Sequence, residues 1–191
     1  YRRNQALHKV PKGCKSNIIN LVDVRYSRRV NPIQQKYIAN LAAAQETAET
    51  LIESLQKGQK SGGGGNDNFF QTSATNFLAA CIYFFVNYKK EPFDKDGNIC
   101  SQAIEARQSH QHTGFGKYSD MPHVLSFLNH SYDEIFDVLM TDEEVYPLLG
   151  PFKTAYDNKA MEQLEGMIGT LRVQTSRLAT KESYWVFSGD D

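Results

Sequence analysis

The sequence predicts a mainly α protein, a helical bundle (an all-α insertion domain) with a short β stem at each end. Three observations carry that expectation. Residues 69–86 (FFQTSATNFLAACIYFFV) are far more apolar than any other window of similar length in the 191-residue chain. Their apolar side chains, Phe69, Phe70, Ala74, Phe77, Leu78, Cys81, Ile82, Phe84 and Phe85, recur at helical spacing over an arc wider than one face, which marks a helix surrounded by partners. A second helical rhythm runs from Ile33 to Leu55, and two runs rich in β-branched and aromatic residues, 17–26 (NIINLVDVRY) and 183–188 (SYWVFS), flank the helical body.

The central run sets the frame. A membrane span is the rival reading, but its strictly apolar part, residues 77–86, is about half of the roughly 20 residues needed to cross a bilayer. Burial of Phe77 and Ile82 is the direct expectation. Residues 31–57 should form the long partner helix. Asn31 suits the N-cap, Pro32 suits the first helical position, where its missing N–H costs nothing, and Gly58 supplies the stop. Such a helix, about 25 residues and roughly 38 Å long, would be long for a globular domain. Between the two helices, residues 59–68 (QKSGGGGNDN) read as a flexible connector, resembling a cloned linker or a natural loop between antiparallel helices. No Gly-Lys-Ser/Thr ends the glycine run, so a Walker A phosphate loop is not supported.

Past the central helix, residues 89–98 (KKEPFDKDGN) form a polar turn. Asp94, Asp96, Gly97 and Asn98 superficially resemble a calcium loop, but Gly97 stands fourth from Asp94 where an EF-hand needs its glycine sixth. A short helix over 101–110 and a loop around the GFG of 114–116 follow. Three short helices then carry clear punctuation. Asp120 caps one with Pro122 just inside, Ser131 and Glu134 make a capping box for the next, and Thr141 and Glu144 make another. Pro147 and the Gly150-Pro151 step should disturb the third. A final helix from Asn158 carries Met161, Leu164, Met167, Ile168 and Leu171, with Gly166 and Gly169 weakening it or admitting a close helix approach. These boundaries divide the chain into residues 1–30 (basic arm and stem), 31–182 (bundle) and 183–191 (return stem).

Composition adds little about activity. Hydrophobic residues at 40% and charged ones at 23% lie in the ordinary globular range, and a chain of this length hides roughly 70% of its unfolded surface. The three cysteines, Cys14, Cys81 and Cys100, show no CxxC spacing, so neither a disulfide framework nor a zinc site is supported and a reducing compartment is the default. The chain begins on Tyr1 without an initiating Met and reads as an excised piece.

The net charge of −1 hides an asymmetry: residues 1–60 hold 11 Lys+Arg against 4 Asp+Glu, and residues 61–191 hold 10 against 18. Arg2, Arg3, Lys9, Lys12 and Lys15 fit a solvated arm. Arg25, Arg28 and Arg29, between a strand-like run and a helix start, are the candidates for phosphate or acidic-partner contact, with ion pairing to a neighbouring domain as the other possibility. His110, His112, His123 and His130 invite a metal hypothesis, but the i, i+2 spacing of the first two does not place them on one helix face, and exposed loop histidines are the simpler reading. No nucleophile elbow, HExxH or CxxC is present, so no catalytic constellation is expected and no cofactor is called for in this chain.

Four blocks appear in sequence: RYSRRVNPIQQKYI (25–38), NDNFFQTSATNFLAACIYFF (66–85), KYSDMPHVLSFL (117–128) and the stretch from Met161 to the end. Together they resemble the TraG/TraD-type coupling protein of conjugative type IV secretion, over about residues 17–191. The resemblance implies a membrane-anchored, hexameric RecA-like ATPase at the cytoplasmic face of the bacterial inner membrane, in which this segment is an inserted all-α domain. On that reading the domain recognises the transfer substrate, a relaxase–DNA complex or a secreted effector, and is itself silent. ATP and Mg would belong to the parent nucleotide-binding domain. The glycine loop at 62–65 and the long excursion at 92–116 depart from the compact family pattern. A free-standing helical DNA-binding or adaptor module is the alternative, and a small metalloenzyme using His110, His112 and His123 a third.

Overall fold

The computed structural model describes residues 18–34, 36–56, 65–88 and 118–189. Its helices are α1 (Leu41–Gln56), α2 (Gly65–Asn87), α3 (Met121–Phe127), α4 (Tyr132–Leu139), α5 (Tyr146–Asp157), α6 (Met161–Leu164), α7 (Thr170–Thr175) and α8 (Lys181–Phe187). A π turn over Glu165–Gly169 links α6 to α7, and 3-10 turns lie at Val24–Tyr26, Glu143–Val145 and Ser176–Leu178. The mainly helical class is as expected.

The central helix is α2. Ala74, Phe77, Ala79, Ala80, Cys81 and Ile82 on it are wholly buried, which accounts for an apolar arc too wide for one face. Against it lie α1 on one side and α5, the π turn and α7 on others, with shorter contacts to α3 and α4. Ala44, Ala48 and Ile52 form the buried stripe of α1. The Phe77 ring meets Phe152 of α5 at 4.9 Å and Phe136 of α4 at 6.4 Å between centroids. Phe69–Asn87 is, against the expectation drawn from its strictly apolar part, long and apolar enough to cross a bilayer, with mean hydropathy 1.3, yet 56% of it is already buried inside the protein.

The long partner helix is shorter than expected. It begins at Leu41, where the Asn40 side chain accepts from the Ala43 N–H at 2.9 Å, not at Pro32. Ile33 and Ile38 are 0% and 1% exposed, and at about 100° per residue a helix would set two positions five apart on well-separated faces. A turn between them lets both enter the core while Tyr37 stays 63% exposed. Asn31 still caps, but locally: its Oδ1 accepts from the Ile33 N–H at 3.0 Å, and its Nδ2 donates to the Ser119 carbonyl at 2.6 Å. The C-terminal end of α1 is closed by Arg177, whose Nη1 donates to the Leu55 carbonyl at 3.0 Å. Gly58, residues 59–64 of the expected connector, the basic residues Arg2 to Lys15 and the expected short helix at 101–110 lie outside the described residues, whereas Gly65, the last of the glycine run, already opens α2, so the expected connector is helical from residue 65 on.

Neither β stem forms among the described residues. In the first, Asn20 Oδ1 accepts from the N–H groups of Val22 and Asp23, and Asp23 caps the Val24–Tyr26 turn. Two Asx side chains offer the backbone local partners, and these displace an extended run. In the second, Thr180 Oγ1 accepts from the Ser183 N–H at 3.1 Å and starts α8, which buries Ser183 and Val186 at i, i+3. The two segments nevertheless meet: the Val30 N–H donates to the Val186 carbonyl at 2.7 Å, closing one of the carbonyls that the end of α8 leaves without a helical partner.

Caps at Asp120 and at Ser131/Glu134 are as read, the latter as a reciprocal box. The third is Asp142, which accepts from the Glu144 N–H, and not Thr141, whose hydroxyl donates to the Val138 carbonyl. Glu144 instead accepts from the Tyr83 hydroxyl of α2. Pro151 does not break α5, because it and Pro147, whose carbonyl it leaves unbonded, are both exposed. Gly166 admits a close approach: a Cβ there would stand 2.9 Å from Phe70 Cε1, whereas one at Gly169 would meet only Glu165 of the same turn.

Candidate functional site

The three candidate arginines lie on the neck made by the residues before Asn31 and the residues of α8. They do not act alike. Arg25 is exposed and held by Asp23 in a two-pronged pair, Nε and Nη2 each donating at 2.9 Å. That pair lowers the Asp23 carboxyl and raises the Arg25 guanidinium. Arg29 stands 6.0 Å over the Trp185 ring centroid and so close to Gly189 that a Cβ there would meet its guanidinium at about 3 Å. Arg28 is exposed, its backbone N–H donating to the Ile18 carbonyl, and its guanidinium has no partner among the described residues. The same neck exposes Ile19, Leu21, Val22 and Tyr26, Val22 at 93%. The Arg29–Trp185 pairing was legible only as composition, since the sequence offers no reason to set positions so far apart against each other.

The histidines do not assemble. His123 Nδ1 lies 2.7 Å from Asp120 Oδ1 at the start of α3, and His130 pairs with Glu134 beside the capping box. His110 and His112 lie outside the described residues, as do the calcium-like turn, Cys14 and Cys100. Among the described residues no group of three or more His, Cys, Asp or Glu could hold a metal ion. Cys81 is wholly buried, and burial pushes its thiol well above the ordinary value, so it stays a thiol.

Three tyrosines tie the bundle through carboxylates. Tyr83 donates to Glu144, Tyr132 to Glu165 and Tyr156 to Asp133. Burial and then the Glu165 bond push Tyr132 up to about 12; the carboxylate bond is the first cause of the rise at Tyr83 and Tyr156. Each phenol is therefore held protonated, as a hydrogen-bond donor.

Clefts open on the surface among the described residues. One, of about 480 Å³, lies between α1 and α2 and is lined by polar side chains that include Gln45, Glu49, Glu53, Gln71 and Asn76. Another, of about 460 Å³, is aromatic: Phe84, Phe85 and Tyr88 of the α2 end face Tyr118, Phe127 of α3, and Asp137, Val138 and Thr141 at the end of α4. Sequence reasoning missed the second cleft. Its signals were the Phe84, Phe85, Tyr88 cluster and Tyr118, but nothing local says that they converge.

No family model matches the chain, and neither a curated protein nor a solved structure matches it. The four sequence blocks therefore stand on their residues alone.

Proposed function

We propose that this chain is a non-catalytic helical recognition domain, and that its parent is a TraG/TraD-type coupling ATPase of conjugative type IV secretion. The observation that carries the reading is the neck, where the Val30 N–H meets the Val186 carbonyl at 2.7 Å. The segment that leads into the bundle and the segment that leaves it run side by side, as they must in a domain inserted into a host. The exposed Ile19, Leu21, Val22 and Tyr26 beside Arg25 and Arg28 form a mixed apolar and basic surface, of the kind that docks on protein. On this reading the neck faces the parent nucleotide-binding domain, which supplies the ATP and Mg chemistry, and the bundle engages the relaxase–DNA complex or secreted effector. The parent would sit as a hexamer at the cytoplasmic face of the inner membrane.

The test is the gene on either side of this chain together with the chain's own activity. A Walker A loop upstream and a Walker B strand downstream are expected, with no ATP hydrolysis above background by the chain itself. A gene with neither motif overturns the parent, and hydrolysis by the isolated chain overturns the silent role.

A free-standing DNA-binding or adaptor module is the second reading, favoured by the exposed guanidinium of Arg28, which has no partner among the described residues. It expects a salt-dependent DNA complex whose affinity falls when Arg25, Arg28 and Arg29 are changed to Ala. A complex that survives those changes removes the three from DNA binding.

A further inference from the structure

The neck is packed apart from the bundle. Among the described residues every buried apolar side chain belongs to the one core around α2 except Val186 of α8, which is wholly buried outside it and marks a small satellite core. No residue from 18 to 32 is buried. The polar groups there serve one another: Asn20 accepts from the Val22 and Asp23 N–H groups, its own N–H donates to the Ser27 hydroxyl at 2.9 Å, and the Arg28 N–H returns to the Ile18 carbonyl at 2.8 Å. The segment then joins α8, through the Val30 N–H on the Val186 carbonyl, Arg29 over the Trp185 ring and the Val24–Tyr26 turn against the helix.

This unit rests on α3. Asn31 Nδ2 donates to the Ser119 carbonyl at 2.6 Å, next to the Asp120 cap, and α8 lies against α3. Tyr184 and Phe187 lean on the main core but are only partly buried. Beyond the unit the chain is anchored on both sides, because Ile33 is part of the main core and Leu178 packs on it. A segment with little apolar burial and mostly local bonds opens at a lower free energy than one whose side chains fill the core.

We propose that residues 18–31 and α8 form a strap that undocks from α3 as one unit while the bundle around α2 stays folded, with the Asn31–Ser119 bond as its latch. The strap goes beyond the reading of the parent and does not depend on it. A partner that grips the exposed Ile19, Leu21 and Val22 and prefers the undocked strap shifts the equilibrium by as much as it prefers that state. It thereby acts on the start of α3 without touching the bundle.

The experiment follows amide hydrogen exchange of the full 191-residue chain by NMR at rising, sub-denaturing urea, together with the fluorescence of Trp185, the one tryptophan in the chain. The amides of Val30 and of residues 184–187 should exchange through one shared opening, at least about tenfold faster than those of residues 77–84 in α2. Trp185 fluorescence should change at lower urea than far-UV circular dichroism. Asn31→Asp keeps the acceptor for the Ile33 N–H and removes the donor to Ser119. It should speed exchange at Val30 and 184–187 by about tenfold, the effect of losing one hydrogen bond and leaving a carbonyl unpaired, with α2 unchanged. Val186→Ala empties the satellite core without touching the latch and should speed the same amides by about tenfold or more. One exchange free energy for strap and α2, with coincident urea curves, overturns the proposal and makes the chain a single cooperative unit. Exchange that quickens residue by residue toward the chain end, with no opening shared by Val30 and 184–187, overturns it in favour of simple fraying. Acceleration in Asn31→Asp that reaches α2 equally, or that is absent at Val30 and 184–187, overturns the latch.

Discussion

Arg172 Nε donates to the Leu128 carbonyl at 2.7 Å, across 44 residues of chain. Its Nη2 reaches the His130 carbonyl at 2.9 Å, and its guanidinium lies 4.9 Å over the Tyr132 ring. One planar cation thus closes the C-terminal end of α3 and holds the start of α4 against α7. It joins the Phe77–Phe136 and Phe85–Phe127 ring contacts in tying the short helices to the bundle.

Arg172→Ala should therefore cost about 2–3 kcal/mol, because it removes two charge-assisted bonds and leaves carbonyls unpaired. Arg172→Lys should recover little of it, since an ammonium cannot reproduce the fork or lie flat on the ring. Urea denaturation checks both, with the midpoint falling and the slope unchanged.

Phe77→Ala should cost about 3–5 kcal/mol. The ring is wholly buried between Phe136 and Phe152, so its removal leaves a cavity that three helices must close. Val173→Ala is the control: Val173 is 71% exposed, and its change should stay within about 0.5 kcal/mol. Equal losses at the two positions would remove Phe77 from the centre of the core.

Two glycines in helical segments should respond to alanine to different extents. At Gly150 a Cβ meets nothing within 4 Å beyond its chain neighbours, but Pro151 follows it inside α5 and the proline ring crowds the Cβ of a preceding helical residue, which offsets the entropy gain, so Gly150→Ala should stay within about 0.5 kcal/mol. At Gly166 the same Cβ would stand 2.9 Å from the Phe70 ring, and the displacement should outweigh the propensity gain for a net loss of about 1 kcal/mol. Thermal melting of the two variants compares them directly.

The capping box titrates. Bonds from the Ser131 hydroxyl and N–H, with a further one from His130, hold the Glu134 carboxyl below its ordinary value near 4.5. A lowered folded value means that the unfolded chain takes up the proton first, so the stabilisation is complete above the ordinary value and is lost as pH falls through the lowered one. Glu134→Gln should flatten that part of the stability-against-pH curve and leave the rest unchanged. A curve of unaltered shape would place the acid sensitivity elsewhere.

The reading of function from sequence stopped at the arginines. Arg25, Arg28 and Arg29 stand within five residues of each other, and charge alone treats them as equivalent. The fold separates them: Asp23 engages one, the Trp185 ring lies under another, and only Arg28 is left without a partner among the described residues. The aromatic cleft escaped notice because Phe84, Phe85 and Tyr88 satisfy the pattern of a buried helix, and only the placement of Tyr118, Phe127 and Asp137 around them makes a surface of it.

By itself the sequence determined the helical class, the central position of residues 69–86 and the caps at Asp120 and Ser131. All of these follow from spacing within a few residues, where a 3.6-residue period or a side chain three positions from an amide is decisive. Only the tertiary structure decided that the described residues between 31 and 40 are not helical and that residues 183–187 are. In the first case two isoleucines five positions apart both had to enter the core. In the second the run SYWVF, strand-like by propensity, met a Thr180 cap and contact with α3 and the Val24–Tyr26 turn, and burial of Ser183 and Val186 on one side outweighed it. Local preference sets a small energy per residue, and the partners that a segment finds set a larger one.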